Sequence, residues 1–267
     1  LMSLSTLPFV LPTVVVAIAF MSLIGQRGLV NDVLATLFSL EYAPIQLERT
    51  LTIILIVHVF DNYSIALRMI VGYWSSVGIE IEEVARTLGA NEWELWRDIR
   101  LPILRPALLS AAALVFIFTF TSFGVILILG GIRFSTLEVQ IYYQTVNIFN
   151  LPLAGALSLV QIGIMFVMMG LYTRLQQGIQ TSLKGAQSVA RLPKTMRERW
   201  VVGLTIVFIS VLLFTPLLAL ILRSITIGDG LSFAYYQLLT ETSRGSLLFI
   251  SPVESILNSL RFAGLAT

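Results

Sequence analysis

Two side chains that could carry proton or cation chemistry lie close together within an apolar stretch of the sequence. His58 and Asp61 are three residues apart, which places them on one face of a helix. Ionisable groups at membrane depth are costly and are often functional, so the pair is a candidate proton or cation relay. In the alternative, structural interpretation, the two side chains pair with each other or with a neighbouring helix, or they lie shallow enough in the membrane to be hydrated.

No common catalytic pattern accompanies this pair. The 267 residues contain one histidine and no cysteine, which excludes a multi-histidine metal site or a thiolate nucleophile from this sequence. The patterns H-E-x-x-H and G-x-S-x-G are absent, as is the phosphate-binding pattern G-x-x-x-x-G-K-[ST]. We therefore expect no catalytic site, no metal site and no cofactor bound by this chain, and no ability to hydrolyse ATP.

The composition is that of a membrane protein. Hydrophobic residues make up 57% of the chain and charged residues 12%, which is about half the charged fraction of an average soluble domain. Five runs approach or exceed the roughly 20 apolar residues that cross a bilayer core. These runs are 7–24, 51–71, 106–129, 153–172 and 200–222, and a shorter one at 256–266 is expected to be a span cut off by the end of the sequence. The prediction is an all-α, polytopic transmembrane helical bundle in the cell membrane.

Lysine and arginine are unequally distributed between alternate loops, and this predicts the orientation. Cytoplasmic loops retain such residues. The two basic loops hold Arg86, Arg97, Arg100 and Arg105, and then Arg174, Lys184, Arg191, Lys194, Arg197 and Arg199. The loops on the other side hold only Arg27, Arg49, Arg133, Arg223 and Arg244. The basic residues form no continuous stripe, so we expect lipid and protein partners and no nucleic acid.

The first basic loop has a regular pattern of its own. Apolar residues recur at the i, i+3, i+4 and i+7 positions of one helical face, namely Ile81, Val84, Ala85 and Leu88. Gly89 then permits a tight turn, and Asn91 with Glu94 three residues later predicts the N-terminus of a second short helix. We expect Pro102 and Pro106 to end that helix and to start the next span. The loop is therefore predicted to be a helical hairpin with an apolar face, which is a surface for a partner.

Residues 83–102, E-V-A-R-T-L-G-A-N-E-W-E-L-W-R-D-I-R-L-P, resemble the EAA loop of binding-protein-dependent ABC importer permeases. Val84 is a departure, because that family usually has a second alanine there. The resemblance implies that the coupling loop, about 78–102, docks into a separate ATPase subunit, expected as a homodimer, which binds the ATP. It also implies an extracytoplasmic solute-binding protein. The residues that would contact the ATPase subunit are Glu83, Ala85, Leu88, Gly89 and Ala90.

The resemblance extends beyond this loop. The stretches 7–20, 58–68 and 118–142 are similar to the iron(III) and thiamine branch of these permeases, whose members often fuse two permease halves. This implies a permease that moves a small solute, ferric iron or thiamine, into the cytoplasm.

A fused arrangement also implies a division of the chain. Residues 1–180 would be the later part of a first transmembrane domain with four spans, and 181–199 a cytoplasmic linker. Residues 200–267 would begin a second half, and the sequence would be a fragment of a longer chain.

Polar residues within the spans are candidates for the translocation path. Besides His58 and Asp61, these are Thr119, Ser122 and Gln161, although hydroxyls and amides also bond between packed helices. A secondary transporter or channel is the alternative function. Such a protein would need charged or discontinuous spans near the midplane, and the predicted helices carry little charge besides His58 and Asp61.

Overall fold

The computed structural model describes residues 7–77, 80–131, 133–180, 195–228, 230–241 and 251–267. Most of the predicted linker, 181–194, and residues 78–79 of the coupling loop lie outside these ranges. The described part is an all-α bundle with five helical stretches long and apolar enough to cross a membrane, which confirms the predicted fold class. A single pair of two-residue antiparallel strands, β1 (Thr226–Ile227) and β2 (Gly230–Leu231), is the only sheet found in it.

The helices are numbered in chain order. The first half contains α1 (Leu7–Val10), α2 (Thr13–Ile24), α3 (Leu29–Phe38), α4 (Leu51–Trp74), α5 (Glu80–Thr87) and α6 (Glu92–Phe120). The remainder contains α7 (Leu137–Tyr142), α8 (Leu151–Gln180), α9 (Met196–Ser224), α10 (Ala234–Gln237) and α11 (Pro252–Ala266). The run at 256–266 is thus helical, and its role as a truncated span stays a prediction.

The first predicted span, 7–24, is not one helix. The helix is interrupted at Leu11 and Pro12, and α2 begins at Thr13 with Pro12 in the N-cap position. Proline lacks an amide hydrogen and fits the start of a helix better than its interior. The candidate span that contains α2 runs from Thr13 to Phe38 and includes the turn before α3.

The third predicted span, 106–129, is wrong at both ends. It belongs to α6, which starts at Glu92, and the helix stops at Phe120 before a short π-helical segment resumes at Ile126–Gly130. At the break, the Thr121 hydroxyl donates to the carbonyl of Ile117 over 3.0 Å, a local bond that competes with regular helix geometry. Gly124 follows, and a Cβ there would lie 2.7 Å from Thr13 Oγ1, so only glycine allows this approach to α2.

The core joins these helices around one apolar cluster. It contains Phe20 from α2 and Phe60 from α4, whose rings meet edge to face with centroids 5.0 Å apart. Val125 and Leu129 enter the cluster beyond the break in α6, and Leu213 enters it from α9. Helices α2, α4 and α9 and the segment beyond the break in α6 therefore share one core in the described structure.

One buried amide organises the connection between α3 and α4. Asn31 is only 1% exposed. Its Nδ2 donates to the carbonyls of Gly25 and Ile45, and its Oδ1 accepts the amide hydrogen of Ile45, each over 2.8 Å. This side chain holds the connection between α3 and α4 in place, because it satisfies backbone groups that would otherwise be buried and unpaired.

We expect Asn31→Ala to destabilise the bundle by roughly 1–3 kcal/mol, since it leaves buried backbone groups without partners. The measurement is the fraction of detergent-solubilised protein that stays monodisperse after heating. The matched control is Asn147→Ala, because Asn147 is exposed. Equal thermostability of the two variants would contradict the role given to Asn31.

Candidate coupling hairpin and intramembrane cavity

The turn that ends α5 is a Schellman motif centred on Gly89. The amide of Ala90 donates to the carbonyl of Ala85, and that of Gly89 donates to the carbonyl of Arg86, both over 3.0 Å. Gly89 has a φ of 91°, a conformation that residues with a Cβ rarely adopt. No atom lies within 4 Å of where its Cβ would be, so the requirement for glycine is conformational and not steric crowding.

The second arm starts as the sequence predicts. The side chain of Asn91 accepts the amide of Glu94 over 3.0 Å, and the Glu94 carboxylate accepts the amide of Asn91 over 2.8 Å. This is a complete capping box.

The predicted stop at Pro102 and Pro106 is wrong, because α6 runs on through both prolines into the bundle. It is π-helical over Leu95–Arg100 and α-helical over Leu101–Phe120. Pro102 falls in the first turn after the π segment, where a missing amide hydrogen is easier to accommodate than in a regular helix interior.

An ion pair fixes α5 against α6. Arg100 donates to both carboxylate oxygens of Glu82, over 2.8 and 2.7 Å, and its guanidinium lies 5.0 Å from the ring centroid of Trp96. The hydrogen bonds from Arg100 lower the pKa of Glu82 below its ordinary value, which outweighs the opposing effect of partial burial. A second pair, Arg86 with Glu92 at 2.5 Å, is more exposed. The two ion pairs therefore hold the arms of the hairpin, α5 and the start of α6, together.

The apolar face of α5 is left uncovered in the described structure. Leu88 is 83% exposed and Val84 is 58% exposed. The residues predicted to contact an ATPase subunit lie together on α5 and its C-terminal turn: Glu83, Leu88 and Gly89 are exposed, and Ala85 and Ala90 are half-buried. Ala85 and Leu88 share the apolar face of α5, whereas Glu83, five residues before Leu88, lies on the opposite face.

A half-open cavity of about 280 Å³ lies where the interruption after α1 meets the break after α6. Its polar lining includes His58, Asp61, Asn62 and Ser122. Asn62 Nδ2 donates to Thr119 Oγ1 over 3.4 Å and so links α4 to the end of α6. The full lining is Leu11, Thr13, Val14, His58, Asp61, Asn62, Phe118, Thr121, Ser122, Phe123 and Gly124.

The structure brings four of the five predicted path residues together. His58, Asp61 and Ser122 line the cavity, and Thr119 reaches it through Asn62. Gln161 lies elsewhere, on α8, where its side-chain amide donates to Glu138. No hydrogen bond or ion pair joins His58 to Asp61 among the described residues, so the structural pairing considered from sequence is not formed.

Sequence reasoning missed two features of this site. The first is the helix break that exposes Ser122 to the cavity, although the cluster Thr121, Ser122 and Gly124 within an apolar run is a recognisable breaker signal. The second is the Glu82–Arg100 pair, which joins residues 18 positions apart and has no local sequence signature.

We expect Glu82→Gln to loosen α5 from α6 and to raise the rate of tryptic cleavage after Arg86 about fivefold. A partly exposed ion pair of this kind contributes about 1 kcal/mol to the free energy that holds α5 against α6. The measurement is the rate of cleavage in membrane vesicles with the hairpin side outward. Glu83→Gln is the control, because Glu83 is exposed and forms no ion pair with the described residues. Equal cleavage rates for the two variants would show that the Glu82–Arg100 pair does not hold α5 against α6.

Comparison with known proteins accounts for this architecture. Residues 1–181 match the family model described as "Binding-protein-dependent transport system inner membrane component". The thiamine transport system permease protein ThiP of Haemophilus influenzae is 27% identical over 96% of this chain and 47% of its own length. ThiP of Brucella suis is 31% identical over 61% of this chain and 30% of its own length.

A permease of a molybdenum transport system is also similar to this chain. The molybdenum transport system permease protein ModB of Mycobacterium bovis is 30% identical over 66% of this chain and 65% of its own length. The chain spans about half the length of the H. influenzae thiamine permease. Since the family model covers well over half of the chain, the protein belongs to the binding-protein-dependent ABC importer permeases, the inner-membrane components of these transport systems.

Proposed function

We propose that this chain is the membrane-spanning subunit of an ATP-driven importer. It receives a small solute from an extracytoplasmic binding protein and passes it to the cytoplasm, and a separate ATPase subunit supplies the energy. The observation that carries the proposal is the exposed apolar face of α5, held on a hairpin that continues directly into the bundle through α6. Membership of the permease family supports it.

The ATPase subunit docks on Glu83, Ala85, Leu88, Gly89 and Ala90. The hairpin carries several charged groups and lies beyond the apolar part of α6, so its surface faces water and not lipid. An apolar stripe in water is unfavourable and is stabilised by burial against a partner. The charges of Glu83 and Arg86, on the other face of α5, can orient that partner.

Motion of the docked hairpin reaches the cavity through α6. This helix has 29 residues, which at 1.5 Å per residue is about 40 Å. It begins at the capping box and ends at Phe120, next to the cavity lining. A displacement imposed on the hairpin by closure of the ATPase subunits therefore moves the cavity wall as well, which provides the link between two states of the bundle.

We propose thiamine as the solute. The support is the alignment with a thiamine permease over nearly the whole chain. Ferric iron, the other expectation from the sequence, has no such support among the relatives described above. The described residues also contain no group of three or more histidine, cysteine, aspartate or glutamate side chains that could hold a metal ion.

The full transporter, reconstituted with its ATPase subunit and a thiamine-binding protein, tests the function. We expect the thiamine-loaded binding protein to stimulate ATP hydrolysis and thiamine to accumulate only when ATP is present. Accumulation driven by an ion gradient without ATP would instead support the secondary-transporter alternative.

Substitution at Gly89 tests the docking surface. We expect Gly89→Val to lower ATPase association and transport at least tenfold, because a β-branched residue is strained at a φ of 91°. Membrane insertion should be unchanged. Gly89→Asn is the matched control, since asparagine tolerates positive φ and should retain most of the activity. Co-purification of the ATPase subunit with each variant is the measurement, and normal association of Gly89→Val would contradict the assignment.

A further inference from the structure

We propose that the intramembrane cavity is a recognition site for an organic cation, with Asp61 as its counter-charge. The inference rests on the proposed transport function for its physiological meaning, but its charge preference can be measured independently. It assigns the solute class by the chemistry of the cavity wall.

The first argument is the charge of the lining. Asp61 is the one carboxylate among the described residues that line the cavity, and neither lysine nor arginine is found among them. Asp61 lies near the middle of α4 and makes no hydrogen bond or ion pair with the described residues. An unpaired carboxylate within a membrane bundle is costly, and a cation in the cavity would offset that cost.

The helix ends around the cavity do not reverse this charge. The N-terminus of α2 carries a partial positive charge at Thr13, and the C-terminus of α6 carries a partial negative charge near Thr121. Each amounts to about half an elementary charge and the two have opposite sign. The net sign of the lining is therefore set by Asp61.

The second argument is two buried polar groups without partners. His58 is 6% exposed and Ser122 is 7% exposed, and neither His58 Nε2 nor Ser122 Oγ has a hydrogen-bond partner among the described residues. His58 Nδ1 lies 2.8 Å from the carbonyl of Ile54 and must donate to it, because a carbonyl only accepts. In the neutral imidazole, Nε2 is then an acceptor. Neither atom is exposed at the cavity surface, so a ligand that bears N–H groups would reach this acceptor and this hydroxyl only after rotation of the two side chains.

Size and aromatic lining agree with this chemistry. The volume of about 280 Å³ is near the lower end of small-molecule pockets, which start at roughly 300 Å³. Phe118 and Phe123 also line the cavity, and aromatic rings attract cations as well as flat heterocycles. A thiazolium joined to an aminopyrimidine has the required charge and N–H groups, whereas an oxyanion would meet Asp61 with no compensating cation.

A cysteine probe measures the charge preference without requiring transport. The sequence has no cysteine, so Thr121→Cys introduces a single thiol into the cavity wall at a half-buried position. We expect the cationic reagent methanethiosulfonate ethylammonium to modify it at least tenfold faster than the anionic ethylsulfonate, after correction for their reactivities with free thiol. Adding Asp61→Asn should abolish this preference, and thiamine should slow the modification. An unchanged preference in the double variant would overturn the proposal.

Transport by the full assembly then tests selectivity. The probes are thiamine and 3-deazathiamine, in which a neutral ring replaces the thiazolium. We expect Asp61→Asn to reduce the ratio of thiamine to deazathiamine uptake about tenfold, while Asp61→Glu and the control Glu138→Gln keep the wild-type ratio. An equal loss for both solutes would assign Asp61 a structural or proton-transfer role and overturn the inference. Failure of the unmodified transporter to take up thiamine at all would count against the proposed function alone, because the thiol-modification rates stand apart from it.

Discussion

Inside a bilayer, backbone amides and carbonyls find no water, so each must be satisfied within the protein. This constraint explains the helical architecture and also the places where the helices stop. The interruption at Leu11 and Pro12 and the break at Thr121 both border the same cavity. Irregular backbone at membrane depth is tolerated where it lines a cavity. The polar cavity and the two helix breaks are therefore one structural feature.

The cavity is connected to the hairpin by helix α6. Because α6 is continuous from its capping box to Phe120, one helix joins the hairpin to the cavity. The Glu82–Arg100 pair extends that link to α5, which has no other strong connection to α6 besides the exposed Arg86–Glu92 pair among the described residues. The proposed docking surface on α5 and the proposed solute site are thereby mechanically joined, although they lie near opposite ends of α6.

Much of this fold follows from local sequence patterns. Apolar runs predict the five spans, and the hairpin follows from the periodicity of Ile81, Val84 and Leu88 with glycine at position 89. The errors arise where a distant contact decides the outcome. Gly124 is needed because α2 approaches it, and Pro102 is accommodated by a π-helical segment. Neither cause can be read from a short window of sequence.

The residues of the candidate site could likewise be predicted only in part from the sequence. His58 and Asp61 are predicted to share a helical face, and the structure places both on the cavity wall. Ser122 joins them only because α6 ends two residues earlier, and Gln161 is excluded because it bonds to Glu138 on another helix. Residue type identifies polar groups in an apolar segment, but tertiary packing decides which of them meet.

The π-helical segment at Leu95–Arg100 has a consequence for how this helix can vary. Successive residues of an α-helix are rotated by about 100°, so an extra residue in one turn offsets the angular phase of everything beyond it. Arg100 meets Glu82 at the end of this segment. A single-residue insertion or deletion between Trp96 and Phe118 would turn the hairpin away from its direction relative to the cavity wall. The chain length between these two points is therefore constrained even where individual side chains can be exchanged.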